Sequence, residues 1–181
     1  LIPGQKPVHC QPYRAGPTAR AVESAEIERM LKAEVIEPAT SEWASPIVLV
    51  AKPDGSTRFC VDYRRLNAIT VRDSYPLPRM DECIDSLGDA KIFTTLDCNS
   101  GYWQIPVRPE DREKTTFTSH EGLYWFLRMP FGLRNAPATF QRFVDITLSG
   151  LTWKTCLVYL DDIIVFSKTP AEHMAHLDAV I

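Results

Sequence analysis

Two adjacent carboxylates, Asp161 and Asp162, stand inside the run Cys156-Leu157-Val158-Tyr159-Leu160-Asp161-Asp162-Ile163-Ile164-Val165-Phe166-Ser167. The flanking stretches are apolar and β-branched, as short buried strands are, so the pair sits at the tip of a predicted hairpin. Burying one unpartnered carboxylate is costly, and two neighbours repel. A hard divalent ion with oxygen ligands, Mg²⁺ above all, resolves both problems. On this run alone a solvated β-turn, where Asp is common, explains the pair equally well. A third acid shifts the balance. Ile92-Phe93-Thr94-Thr95-Leu96-Asp97 is another strand-like run ending in a carboxylate, with the turn-rich Cys98-Asn99-Ser100-Gly101-Tyr102 behind it. If the two runs are sheet neighbours, the acids converge. Two Mg²⁺ ions about 3.5–4 Å apart, clamped by acids, are a device for phosphoryl transfer.

Elements able to position these acids follow from periodicity and punctuation. Residues 1–18, with four prolines and two glycines, read as an extended arm. Residues 19–34 read as a helix with Ile27, Met30, Leu31 and Val35 on one face. Residues 46–51 and 57–61 read as strands joined by Pro53-Asp54-Gly55-Ser56, which is hairpin-turn chemistry. A helix over 78–87 is expected to bury Met80, Ile84 and Leu87 and to stop at Gly88. Strands follow at 93–97 and 122–128. A helix over 137–149 is expected to turn Phe140, Phe143, Val144, Thr147 and Leu148 to a core. After the 156–167 hairpin, Thr169 reads as an N-cap, Pro170 as the first helical residue and Glu172 as the partner in a capping box, with Met174, Leu177 and Ile181 along one face. Strands and helices alternate without a βαβ rhythm, so the fold class is α+β.

Composition narrows the field. The chain has 181 residues, 45% of them apolar, enough for one domain or two small lobes sharing a core. Its net charge of −3 leaves nucleic acid to a local basic track. The five cysteines (10, 60, 83, 98 and 156) are scattered and contain no C-x-x-C pair, which argues against a disulfide framework or zinc site and for a reducing compartment. No run approaches the ~20 apolar residues of a membrane span, and no signal peptide opens the chain. Leu1 in place of an initiator Met, and a helical pattern that stops at Ile181, predict a fragment of a longer polyprotein.

Four segments carry a specific resemblance. Tyr159-Leu160-Asp161-Asp162 resembles the Y-x-D-D signature of reverse transcriptases, and Leu96–Ile105 their other catalytic motif. Arg58–Asn67 and Met129–Gln141 are similar to two more, in the family's order and with family-like gaps. Nearly the whole chain is covered, and polymerases of gypsy-type LTR retrotransposons are the most similar kind. The resemblance implies a right-hand polymerase without its thumb: residues 19–74 mostly fingers, 75–168 mostly palm with a small antiparallel sheet backed by helices, and 169–181 the start of a helix. It implies that Asp97 and Asp161 bind both Mg²⁺ ions, with Mn²⁺ as a substitute, that Asp162 is the third acid, and that the Cys98 carbonyl completes a metal shell. Tyr102 would lie under the sugar of an incoming deoxynucleotide and reject a 2′-hydroxyl. Backbone amides of Ser100 and Gly101 would contact phosphate. Arg58 would grip the triphosphate and Lys52 its γ-phosphate. Phe131, where retroviral enzymes carry Gln, would form an apolar floor to the nucleotide pocket. Gln141 and Pro137 would position template or the pocket wall, and Asp62 and Arg64 would pair near the template.

Each residue also has a plainer reading: Asp97 as a cap, Tyr102 as a core aromatic, Lys52 and Arg58 as solvated charges across a hairpin, and Gln141 and Pro137 as helix N-terminal structure. At the level of function, the first reading is an RNA-directed DNA polymerase fragment acting on an RNA or DNA template with primer and deoxynucleoside triphosphates. Thumb, RNase H and integrase parts would belong to the same polyprotein, and its place would be a cytoplasmic virus-like particle away from membranes. The second is an inert remnant that at most binds nucleic acid or a protein. A two-metal nuclease shares the acids but does not call for the aromatic at 102 or the basic residues before it.

Overall fold

A computed structural model describes residues 1–55, 57–98, 100–159 and 162–181. In chain order the elements are α1 (Pro17–Lys32), β1 (Ile36–Pro38), β2 (Ser45–Ala51), β3 (Thr57–Val61), α2 (Arg64–Ala68), α3 (Met80–Leu87), β4 (Ile92–Asp97), α4 (Pro109–Arg112), β5 (Phe117–Thr118), β6 (Leu123–Phe126), α5 (Ala136–Thr147), β7 (Cys156–Tyr159), β8 (Asp162–Ser167) and α6 (Pro170–Val180). They form two compact units. The first joins Leu1–Arg72 to Tyr102–Ala136, and the second joins Asp73–Gly101 to Pro137–Ile181.

The first unit is built on a five-stranded sheet of order β1-β6-β5-β2-β3. Neighbours are antiparallel except β2 and β5, which run parallel. The β2–β3 hairpin turns at Gly55, whose φ of +80° is a left-handed conformation that suits glycine. Helix α1 opens with Pro17 at its first position and lays Ile27 and Met30 against the sheet. It ends two residues before the sequence pattern suggested. Glu34 takes a φ of +52° there, and the Val35 amide donates to the Met30 carbonyl at 2.9 Å, closing a Schellman-type cap without glycine. Ile27, Met30, Val35, Ile36, Ile47, Phe117 and Phe126 form the core. A satellite core gathers Trp43, Tyr63 and Leu66, with the Tyr63 hydroxyl donating to the Thr115 carbonyl at 2.7 Å. Burial pushes that hydroxyl well above the usual tyrosine range.

The second unit is built on a three-stranded antiparallel sheet of order β4-β8-β7. Side chains alternate between faces along a strand, and residues paired across strands share a face. One face therefore carries Phe93, Thr95 and Asp97 with Phe166, Ile164 and Asp162, and the other carries Thr94 and Leu96 with Val165 and Ile163. Helix α3 packs Cys83 on Leu157 and Phe166, and α6 packs along β8.

Two helices turn a different stripe inward from the one their apolar residues suggest, and α5 buries only part of its expected stripe. In α3 Cys83 is buried, with Leu87 packed beside it, while Met80 and Ile84 are 55% and 63% exposed. In α5 Phe140, Val144 and Leu148 are buried, but Phe143 and Thr147 face out. In α6 His173 is buried and Met174 lies exposed. Each buried stripe holds residues four apart, a narrow ridge on a small sheet, and a small or polar residue with the right spacing displaces a larger apolar one. The start of α6 is as expected: the Thr169 hydroxyl accepts from the Glu172 amide, and the Glu172 carboxylate reaches back to the Lys168 amide at 2.8 Å. All five cysteines are free thiols. Among the described residues no helix is long and apolar enough to cross a membrane.

Candidate active site

The second unit holds the acids. Strand β4 ends at Asp97 and β8 begins at Asp162, and their antiparallel register sets these two residues directly opposite each other on the same face. Such pairs have Cβ atoms about 4.5–5.5 Å apart, close enough for two carboxylates to share one cation. Both are exposed. Tyr159 of β7 pairs with Asp162 from the other side and shares that face. Asp161, the remaining acid of the predicted cluster, lies outside the described residues. Among the described residues no three His, Cys, Asp or Glu side chains gather as a metal site. What they contribute is two hard oxygen donors, the chemistry Mg²⁺ takes and softer ions do not require.

Behind Asp97 the chain makes a tight turn. The Gly101 amide donates to the Cys98 carbonyl at 3.0 Å, and Ser100 is held at a φ of +51°. That amide, expected to meet phosphate, is thus engaged within the turn. Gly101 is required by crowding: a Cβ there would lie 2.9 Å from Cζ of Phe140, which is 1% exposed and cannot move aside cheaply. Replacing Gly101 by Ala is expected to cost about 1–3 kcal/mol, as overpacking does. It should appear as a lower melting temperature with unchanged far-UV circular dichroism.

Gln141, next along α5, is fully buried and donates through Nε2 to Asp145 at 3.1 Å. It offers no surface to a nucleotide or template, so direct contact gives way to a place in the helix interior. Asp145 also accepts from the Tyr75 hydroxyl at 2.7 Å. Arg142 lies over the Tyr75 ring and pairs with Asp73 at 2.8 Å.

The remaining candidates belong to the first unit. Arg58 lies on β3 opposite Val50, exposed, and Lys52 follows β2 on the same hairpin. Tyr102 is 7% exposed, its ring 4.9 Å from that of Phe131. Phe131 is half-exposed and lines a small apolar cavity with Phe59, Val61, Trp103 and Pro130. Asp62 and Arg64 do pair, through two side-chain hydrogen bonds of 2.8 and 2.7 Å. The Tyr13 hydroxyl, 49 residues away in the chain, donates a third at 3.0 Å. The Arg64 guanidinium pulls the Asp62 carboxyl down to about 2. A depressed folded-state value stabilises above the unfolded carboxylate range and is lost as pH falls through the folded one. Asp62→Asn is therefore expected to melt roughly 2–4 °C below the parent at pH 7, the shift about 1 kcal/mol makes in a chain of this size. The gap should close toward pH 2 in a series of thermal melts.

Sequence reasoning missed the support beneath the site: Phe140 under Gly101, and two α6 histidines against β4 and β8. The histidine spacing, three apart in one turn, was the available signal.

Comparisons with known proteins bear on this geometry. A family model described as reverse transcriptase (RNA-dependent DNA polymerase) matches residues 50–181. The Retrovirus-related Pol polyproteins from transposons opus and 297 of Drosophila melanogaster are 42% and 43% identical over 98% and 96% of this chain. The Enzymatic polyprotein of cauliflower mosaic virus (strain Strasbourg) is 36% identical over 97%. The chain spans 18%, 17% and 26% of those three proteins. Among solved structures, foamy viral protease-reverse transcriptase dRH in complex with ds DNA superposes with a TM-score of 0.88 at 28% identity, covering 97% of this chain and 31% of that one. The foamy viral enzyme in complex with RNA/DNA hybrid gives 0.84 at 26%, covering 98% and 24%. With its acids opposed across an antiparallel pair and nearly its whole length matched by such relatives, the chain belongs to the reverse transcriptase (RNA-dependent DNA polymerase) family.

Proposed function

We propose that this chain is the fingers-and-palm portion of an RNA-directed DNA polymerase that adds deoxynucleotides to a primer 3′-hydroxyl. The observation that carries this reading is the same-face opposition of Asp97 and Asp162 across β4 and β8. The unit bearing that pair acts as the palm, and the unit bearing the Lys52–Arg58 hairpin acts as the fingers. Reverse transcriptases are generally dependent on divalent metal. Asp97, Asp161, Asp162 and the Cys98 carbonyl would hold two Mg²⁺ ions. Bound there, the ions supply charge neutralisation for the triphosphate and acidity for the primer hydroxyl.

The chain's own groups do the rest. Arg58 presents a planar guanidinium to phosphate oxygens and Lys52 a point charge to the terminal phosphate. Tyr102, backed by Phe131, closes the space a 2′-hydroxyl would need, so the substrate is a deoxynucleotide. The duplexes in the foamy virus structures support a template–primer as the partner. The polyprotein relatives, of which this chain spans 18% and 17%, support a longer precursor as its context; thumb, RNase H and integrase parts and a cytoplasmic particle complete the proposal.

The test is primer extension on an RNA template with deoxynucleotides and Mg²⁺, comparing this chain with the Asp161→Asn/Asp162→Asn double variant. Extension by the parent alone supports the polymerase and its site. Equal extension by both would sink the site. A folded parent that binds Mg²⁺ without extending would favour the inert remnant.

A further inference from the structure

Behind the acid-bearing strands lies a buried polar chain that the proposed mechanism does not use. The His176 Nδ1 is 2.9 Å from the Phe166 carbonyl, which can only accept, so this nitrogen carries the proton. The same N–H faces the Ser167 hydroxyl oxygen at 2.7 Å, which therefore accepts. His173 Nδ1 stands 3.1 Å from the Ser167 hydroxyl, which has its own proton and one more lone pair to offer; donating to Nδ1 is the arrangement that gives that proton a partner. An accepting Nδ1 makes His173 the Nε2–H tautomer, and that N–H meets the Thr94 hydroxyl at 2.8 Å. One imidazole thus bonds to β4 through Thr94 and to β8 through Ser167. His173 is 6% exposed and Ser167 3%.

Resting on the polymerase reading, we propose that neutral His173 is a positioning residue that locks the register of the two acid-bearing strands from the face opposite the acids. Strand β4 is an edge, paired with β8 alone among the described strands. A slip of one residue would carry Asp97 to the other face and away from Asp162. Thr94 stands three residues before Asp97, so a bond from its hydroxyl to a ring fixed on β8 opposes that slip. Protonation reverses the tie to β8: the His173 Nδ1–H would donate to the second lone pair of the Ser167 oxygen beside the His176 N–H, and the Ser167 proton would lose its acceptor. The charged groups around the chain lie on its His176 side. Glu172 of α6 is 3.9 Å from His176 Nε2, Lys168 pairs with Asp89 before β4, and Lys154 lines the same cleft. Among the described residues none of them is bonded to His173.

The experiment is long-range ¹H–¹⁵N spectroscopy of the histidines in the labelled 181-residue chain, followed by an acid titration. Near neutral pH, His173 is expected as the Nε2–H form and His176 as the Nδ1–H form. The backbone amides of Thr95, Leu96, Asp97 and Ile163 should shift as His173 gains its proton. His173→Phe should reproduce the shifts and lower kcat for extension about tenfold at unchanged nucleotide KM. His173→Gln, which keeps a donor and an acceptor, should restore most of both. Thr94→Val gives the same reading if His173→Phe fails to fold. An Nδ1–H form of His173, or strand amides and kcat indifferent to both substitutions, overturns the proposal. Continued extension by Asp97→Asn would instead remove the polymerase site and leave the tautomer and amide results to judge the tie.

Discussion

Asp97→Asn is expected to reduce primer extension by at least about 10³-fold, the loss of several kcal/mol of transition-state stabilisation that an ion-holding carboxylate supplies. Raising Mg²⁺ should not restore it, because the missing partner is a charge fixed at one position. The same substitution should leave the fold intact and make it slightly firmer. Asp97 and Asp162 are paired like charges on an exposed face, and directly opposed like charges destabilise a sheet. Removing one should raise the melting temperature by a degree or so, a gain of a few tenths of a kcal/mol. Activity lost together with stability gained marks a residue kept for chemistry. A variant that loses both would mark Asp97 as structural. Single-turnover extension and calorimetry on the same sample separate these outcomes.

Phe117→Ala is expected to give the largest loss of stability in the chain, about 3–5 kcal/mol. Strand β5 is only two residues long, yet Phe117 has no exposed surface. Its ring contacts Phe59 of β3 edge-on at 5.7 Å, Tyr124 of β6 at 5.7 Å and Phe126 at 5.3 Å. Truncation leaves a cavity among three rings held by two strands, β3 and β6, on either side of β5 and β2, which cannot collapse together. Since domains are stable by only about 5–15 kcal/mol, the first unit should melt on the order of 10 °C earlier. Urea unfolding followed by near-UV circular dichroism would show it. Phe117→Leu should recover more than half of the loss.

The site was more legible than its supports. Asp97 and Asp162 flank runs whose β-branched composition announces strands, so their place at strand ends was legible from residue type, while their meeting depended on the pairing of β4 with β8. The hairpin of β2 and β3 announced itself through Pro53, Asp54 and Gly55. Strands β1 and β5 did not: Ile36–Pro38 contains a Glu and a Pro, and Phe117–Thr118 is too short to show a period. They exist because β6 and β2 pair with them, a tertiary cause that no local window contains. Helices were found but partly misfaced, since hydrophobicity favoured Met80 and Met174 where packing favoured Cys83 and His173. Gln141 shows the same limit. The resemblance implied a template or pocket-wall role beside the plainer helical one, and its position on the helix buries it completely.

The path of the chain through its two units has a consequence for how the protein is made. The first unit needs β5 and β6, which lie beyond residue 116, and the second needs β7 and β8, which lie beyond residue 155. A ribosome that has delivered residues 1–101 has therefore completed neither sheet, and β4 emerges long before the strand it pairs with. The nascent polypeptide must carry two unfinished edges at once, and no cut inside residues 73–136 yields a contiguous piece that contains either unit whole.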